Sequence, residues 1–135
     1  MASGIYSPFK VDLMKKLVNL SADTINVALY DTSFAFAAAN TAYNTTSELA
    51  TAGGYTQGGT GLGALSVTAS GATAIFSAAN AAWGSTASFS AAFALLYDTS
   101  NSNRNICAFD FGGAKTVSSG TFTIAWNAAG IITMS

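Results

Sequence analysis

The chain has 135 residues, a length suited to one hydrophobic core, so we expect a single domain over residues 1–135. Charged residues make up only 8% of the sequence and hydrophobic residues 50%, a composition that favours a protein held in contacts between subunits over a free monomer. The net charge of −1 and the absence of histidine exclude a general attraction to nucleic acid, a conventional zinc site and histidine-dependent catalysis.

The N-terminal sequence and the hydropathy pattern give no sign of a membrane protein. "MASGIYSPFK" lacks the basic start and apolar run of a secretory signal, and no stretch of about 20 mostly apolar residues occurs. Cys107 is the only cysteine, so an intrachain disulfide is excluded, and it is expected to pack as a small apolar residue. We expect a chain that folds in a cytoplasm, with no membrane partner, no cofactor and no metal.

An N-terminal arm and helix are predicted over residues 1–22. In "YSPFKVDLMKKLVNLSAD", Ser7 is a plausible N-cap with Pro8 at the first helical position, and an apolar stripe follows at helical spacing. The members of that stripe are Phe9, Leu13, Leu17 and Leu20.

The opposite face of this predicted helix carries three lysines, Lys10, Lys15 and Lys16. Asp12 is spaced to pair with Lys15 or Lys16. Two interpretations remain open for the lysines: a solvated helix face, or a surface that docks on an acidic neighbouring subunit.

The apolar periodicity changes from helical to alternating at "TINVALYD", which predicts a half-buried strand with Ile25, Val27 and Leu29 on its core face. Residues 32–60 then form a predicted long loop, and loops of that length are usually functional or held by a partner. The loop contains Phe34, Phe36 and Tyr43, which pack either over the domain's own core or against another subunit.

From Gly61 onward the sequence alternates between apolar segments and turns rich in Gly, Asn and Ser. The predicted strands are "LGALSVTAS", "ATAIFSAA", "TASFSAAFALLYD", "NICAFDF", "GTFTIAW" and "GIITM", with Trp83 and Trp126 as core fillers near sheet ends. About seven short strands predict a mainly β fold: an antiparallel β-sandwich with one N-terminal α-helix and a long loop.

The pentapeptide "LYDTS" occurs twice, at residues 29–33 and 96–100. Asp31 and Asp98 each end a predicted strand, where a carboxylate accepts a hydrogen bond from the backbone amide two residues on and closes a turn. The alternative is a paired-carboxylate site for Ca²⁺ or glycoside hydrolysis, for which only Glu48 and Asp110 could supply further carboxylates, without characteristic spacing. We therefore predict one turn device used twice.

The sequence "GGTGLG" at residues 58–63 suggests a phosphate-binding loop only superficially. The Lys-Ser/Thr that should come next is missing, and no helical pattern comes after it. We predict a flexible loop with no ligand.

Three stretches together carry a resemblance to a known group: "TSELATAGGYTQGGTGL", "AAWGSTASFSAAFALLYDTS" and "AFDFGGAKTVSSGTFTIAWNAAGIITM". In this order they resemble small virion structural proteins of tailed bacteriophages, over about residues 25–134. The resemblance implies a compact β-sandwich that attaches to a phage particle. Proteins of this kind serve as capsid cement or decoration proteins, often trimeric, and others as tail-fibre or tail-tip components.

The resemblance makes the expected function structural rather than enzymatic: a capsid cement protein that binds the major capsid protein on the virion surface, as a homotrimer. A tail-fibre or tail-tip component is the alternative, and a carbohydrate-binding β-sandwich that uses its aromatic residues is a further one. The arm, the helix and the long loop are the expected contacts with the partner. The candidate interface residues are Phe9, Lys10, Lys15, Lys16, Phe34, Phe36, Tyr43 and Tyr55.

Overall fold

The computed structural model describes residues 4–134, so the first three residues of the predicted arm, and Ser135, lie outside it. The prediction of a mainly β, sandwich-like fold with one helix is confirmed. The elements in chain order are β1 (Gly4–Ile5), α1 (Ser7–Met14), β2 (Ile25–Tyr30), β3 (Thr60–Gly61), β4 (Ser66–Ser70), β5 (Thr73–Ser77), β6 (Ala81–Asp98), a short 3₁₀ turn (Thr99–Asn101), β7 (Arg104–Ile124) and β8 (Ile132–Met134).

The strands form two antiparallel sheets. The larger sheet has the order β1-β7-β6-β2-β3, and the smaller one has the order β4-β5-β8. Side chains from both sheets and from α1 belong to one hydrophobic core, including Phe9, Leu96 and Phe76. Within residues 4–134 no helix is long and apolar enough to cross a membrane.

The β6–β7 hairpin is longer than the sequence predicts. Two segments predicted as turns lie inside these strands: "NAAWGS" except for Asn80, and the whole of "GGAKTVSSG". Irregularities in the register between Trp83 and Phe89, and between Ala91 and Phe93, absorb the extra residues, and Gly84, Gly112 and Gly113 adopt positive φ angles. Glycine and serine therefore mark bends within strands here, where the sequence pattern predicts strand ends.

The prediction that β2 is half-buried is wrong, because five of its six residues are buried, on both faces. The second half of β6, from Ala91 to Asp98, is likewise buried throughout. The 32–60 loop covers one face of β6, where Phe34 packs on Phe93 and Tyr43 stacks on Tyr97. At the end of β6, Asp98 is paired across the strands with Arg104, whose side chain reaches α1.

Helix α1 is shorter than predicted and begins one residue nearer the N-terminus, with Tyr6 at the N-cap and no side-chain cap. It ends because Lys16 adopts a left-handed conformation with φ of 62°. The amides of Lys16 and Leu17 then bond back to the carbonyls of Leu13 and Asp12, which is the Schellman arrangement. Leu17, predicted to continue the apolar stripe, is therefore 50% exposed.

Candidate functional site

The outer surface of α1 is basic. Lys10, Lys15 and Lys16 are all exposed, and none of them forms an ion pair among the described residues. The predicted pairing of Asp12 with Lys15 or Lys16 is wrong, because Asp12 points inward and is 2% exposed. Its Oδ2 accepts a hydrogen bond of 2.5 Å from Nε of Arg104 on β7. The inward turn of Asp12 leaves the three lysines without a balancing carboxylate on their own helix.

An apolar groove lies between α1 and the smaller sheet, with a volume of about 190 Å³. We call it the α1 groove, and its walls include Phe9, Leu13, Leu20, Val67, Phe76 and Ile132. Two apolar residues of its wall are well exposed, Val67 by 49% and Met134 by 56%, and Met14 at the end of α1 is 84% exposed. Lys16 lines a neighbouring cavity that shares Leu13, Leu20 and Val67 with the groove, so one of the three lysines lies next to it.

The predicted interface residues do not all reach the surface. Phe9 and Tyr55 are each 1% exposed within the chain's own core, so we withdraw both side chains as direct contacts. Both were assigned from the apolar stripe or the loop position, and neither pattern distinguishes a core contact from an intersubunit one.

Phe34, Phe36 and Tyr43 are partly buried and pack over the chain's own core. The ring centroid of Phe34 lies 4.7 Å from that of Tyr30, and the ring centroid of Phe36 lies 4.8 Å from that of Tyr6. Of the two interpretations that the sequence left open for these rings, contact with the domain's own core is the one the structure contains.

Glu48 holds the long loop in place, which the sequence analysis did not foresee. Its Oε1 accepts a 2.5 Å hydrogen bond from the hydroxyl of Tyr43. Its Oε2 accepts bonds from the hydroxyl of Tyr55, at 2.5 Å, and from the amide of Gly58, at 2.7 Å. Glu48 is the only charged residue between Asp31 and Asp98. A lone carboxylate in such a stretch is the sequence feature that could have identified its role. The residue is 7% exposed, so these three donors replace the water that its carboxylate loses on folding.

The tyrosine hydroxyls of this cluster are held in their neutral form. Burial is the main cause that raises the pKa of Tyr55 and of Tyr43 far above the ordinary value, and the hydrogen bond to Glu48 adds to it. The hydroxyl of Tyr97 donates to the carbonyl of Gly58, and that of Tyr30 donates to the carbonyl of Asn44. Burial likewise raises the pKa of the Cys107 thiol, which keeps it protonated.

The two "LYDTS" aspartates form the predicted turns. Oδ1 of Asp31 accepts from the amide of Ser33 at 2.7 Å, and Oδ1 of Asp98 accepts from the amide of Ser100 at 2.9 Å. The turn interpretation of the repeat is confirmed. Residues 4–134 contain no group of three or more Cys, Asp or Glu side chains arranged to hold a metal ion.

The glycine segment 58–63 is not the flexible loop that the sequence predicts, because it contains β3, which pairs with β2. Gly59 has φ of 80°, and a Cβ there would clash with the carbonyl oxygen of Val27. Only glycine allows this close approach to β2. The segment seals the edge of β2, and β3 leads into further strands rather than into a helix that could bind a phosphate.

The two tryptophans are engaged within the chain. Trp83 is 5% exposed and contacts Phe122 edge-on, with ring centroids 5.9 Å apart. Trp126 is partly buried beside Phe109, and its Nε1 donates to the carbonyl of Ala79. Both rings are occupied by contacts of the chain itself, which does not favour their use as a platform for a sugar.

No protein-family model, curated protein or solved structure matches this chain.

Proposed function

We propose that this protein is a structural component of a tailed-phage virion, a cement or decoration protein that binds the major capsid protein on the outside of the head. It acts by binding and not by catalysis. A cement protein stabilises a shell because it binds the mature arrangement of the capsid subunits and not the dissociated ones, which is a linkage effect. We further propose a homotrimer as the working unit.

The surface formed by the α1 groove and its lysines is the single observation that carries this proposal. The α1 segment, whose Phe9 and Leu13 line the groove, carries three of the five Lys and Arg residues in the chain, and Lys16 lies next to the groove. A partner segment with apolar side chains flanked by carboxylates would complement it. Three of the chain's own six carboxylates, Asp12, Glu48 and Asp98, are buried, and the other three, Asp23, Asp31 and Asp110, are only partly exposed. A different protein with acidic surface groups is therefore the better fit.

The ionisable groups inside the chain also favour a structural role over an enzymatic one. Asp12 is bonded to Arg104, Glu48 to tyrosines and an amide, and Asp98 to its own turn. A catalytic carboxylate has to face a substrate, and these three face neighbouring parts of the same chain. The tail-fibre alternative would use the same kind of surface, and it is separated from a head location by copy number. The carbohydrate alternative receives no support from Trp83 or Trp126.

The test is binding of variants to phage heads assembled without this protein. Replacing Lys10, Lys15 and Lys16 together by glutamate reverses the charge of the α1 segment, and we expect occupancy at a fixed concentration to fall by about tenfold or more. Lys115→Glu is the control, because Lys115 is an exposed lysine on the β6–β7 hairpin, away from α1. Equal occupancy by the folded triple variant and the wild type would contradict the assignment of this surface.

Substitution is a sharper test than deletion of residues 1–20. Tyr6 and Phe9 are buried core residues, and Asp12 pairs with Arg104. Their removal would disrupt folding as well as binding. The three lysines carry no such contacts, so circular dichroism and the thermal midpoint of the triple variant should stay close to those of the wild type.

A further inference from the structure

Asp98 is a fully buried carboxyl group with one oxygen that no donor satisfies. The residue is 0% exposed, and its Oδ1 accepts from the amide of Ser100. No N–H or O–H group within residues 4–134 donates to its Oδ2. A buried carboxylate oxygen without a donor is costly, so this atom requires a partner.

The group that faces Asp98 is a second carboxyl, that of Asp23, within hydrogen-bonding reach. Asp23 lies in the segment between α1 and β2, and its Oδ2 accepts from the amide of Asn19 at 3.0 Å. Arg104 on β7 is the cross-strand partner of Asp98, but its guanidinium is bonded to Asp12 of α1. The amides of Ser100 and Asn101 are the remaining groups that favour a negative charge on Asp98.

Two ionised carboxylates in contact repel each other, whereas one proton turns the same contact into a hydrogen bond. Burial, followed by the contact with Asp23, raises the pKa of Asp98 from 3.8 to about 7, and the two turn amides offset only part of this. The proton supplies the donor that Oδ2 lacks.

We infer that Asp23 and Asp98 share one proton in the folded protein, and that this shared proton fastens the segment 19–24 to the turn at residues 98–101. Two further hydrogen bonds join the same two segments: the amide of Thr24 donates to Oγ of Ser100, and the amide of Thr99 donates to the carbonyl of Thr24. We call this junction between residues 19–24 and 98–101 the clasp. Leu20 in this segment forms part of the α1 groove. Loss of the proton therefore loosens one wall of the groove.

The direction of the pH dependence follows from the sign of the shift. Because the folded chain holds this proton more tightly than the unfolded chain, the clasp contributes its full stability below about pH 4. That contribution falls as the pH rises, and it is lost once the pH passes about 7. The clasp is therefore closed in mildly acidic solution and weakened in alkaline solution.

The direct experiment is carboxyl ¹³C NMR of the wild-type chain labelled at aspartate, followed from pH 3 to 9. The resonance that disappears in Asp98→Asn is assigned to Asp98. We expect it to titrate with a midpoint near 7. A midpoint below about 5 for Asp98, close to the ordinary range for aspartate, would overturn the inference.

Stability measurements provide a second test of the shared proton, and Asp31 in the first copy of the repeat provides a matched control. The amide introduced by Asp98→Asn would keep the turn and would donate to Asp23 at any pH. The difference in thermal midpoint, variant minus wild type, should therefore be larger at pH 8.5 than at pH 5. We expect this difference to grow by about 3 °C or more between the two pH values, and we expect the same trend in Asp23→Asn. Asp31→Asn should show no such trend, because Asp31 forms the same turn but is partly exposed to solvent. Equal differences at both pH values in all three variants would also refute the shared proton.

Discussion

The two "LYDTS" copies share five residues and one turn, yet they hold their aspartates in different surroundings. Asp31 is partly exposed and accepts a hydrogen bond from Ser33. Asp98 accepts the equivalent bond from Ser100 but is fully buried against Asp23. The local sequence determines the turn, whereas residues distant in the chain determine how deeply the aspartate is buried.

The copies also differ in the segments that come after them. The first leads into the 32–60 loop, which returns to β2 at Glu48, where the amide of Asp31 donates to the carbonyl of Ser47. The second leads into a short 3₁₀ turn, and left-handed Ser102 and Asn103 then direct the chain straight into β7. The first copy therefore depends on a buried side chain 17 positions beyond its aspartate, and the second depends on the clasp with residues 19–24.

The largest effect should come from Glu48→Ala, which breaks the surroundings of the first copy alone. It leaves the hydroxyls of Tyr43 and Tyr55 and the amide of Gly58 without their acceptor. We expect a loss of about 3 kcal/mol or more in the free energy of unfolding, measured by urea denaturation.

Hydrogen exchange shows whether that loss stays local. In Glu48→Ala the amides of Asp31 and Leu49 should lose protection, while that of Thr99 keeps it, because its acceptor is the carbonyl of Thr24 in the clasp. Glu48→Gln is the milder control, since it retains one oxygen acceptor and should lose less stability. Equal loss in the two variants would mean that the space filled by Glu48 matters, and not its hydrogen bonds.

A smaller effect separates the two serines of the repeat. Oγ of Ser100 accepts from the amide of Thr24, which lies 76 residues away in the chain, whereas within residues 4–134 no hydrogen bond involves Oγ of Ser33. Ser100→Ala should therefore cost about 0.5–1.5 kcal/mol in the free energy of unfolding, and Ser33→Ala should be close to neutral. Matching losses would contradict the view that only the second copy is clasped.

Features that depend on local chemistry were predictable from the sequence. The alternation of apolar residues predicts β2, β5 and the core half of β6, and the Asx turns follow from aspartate at a strand end. The end of α1 was not predictable in this way. The left-handed residue there is Lys16, where the usual sequence signal is glycine.

Features that depend on distant residues had no local signal. Asp12 is spaced for a helical pair with lysine, but burial against β7 gives it Arg104, 92 positions away. Glu48 lies in a loop with no recognisable motif, and only folding brings Tyr43 and Tyr55 to its two oxygens. Of the predicted interface, the lysines lie at the surface, whereas Phe9 and Tyr55 do not, because apolar periodicity does not reveal what covers an apolar face.

The measurement that tests the proposed function most directly is the copy number of this chain per purified virion, by quantitative mass spectrometry against the major capsid protein. A head cement protein predicts a ratio near one to one, or a fixed lattice fraction of it. A few copies per hundred capsid subunits would place the protein in the tail instead. Absence from intact particles would contradict a virion role altogether.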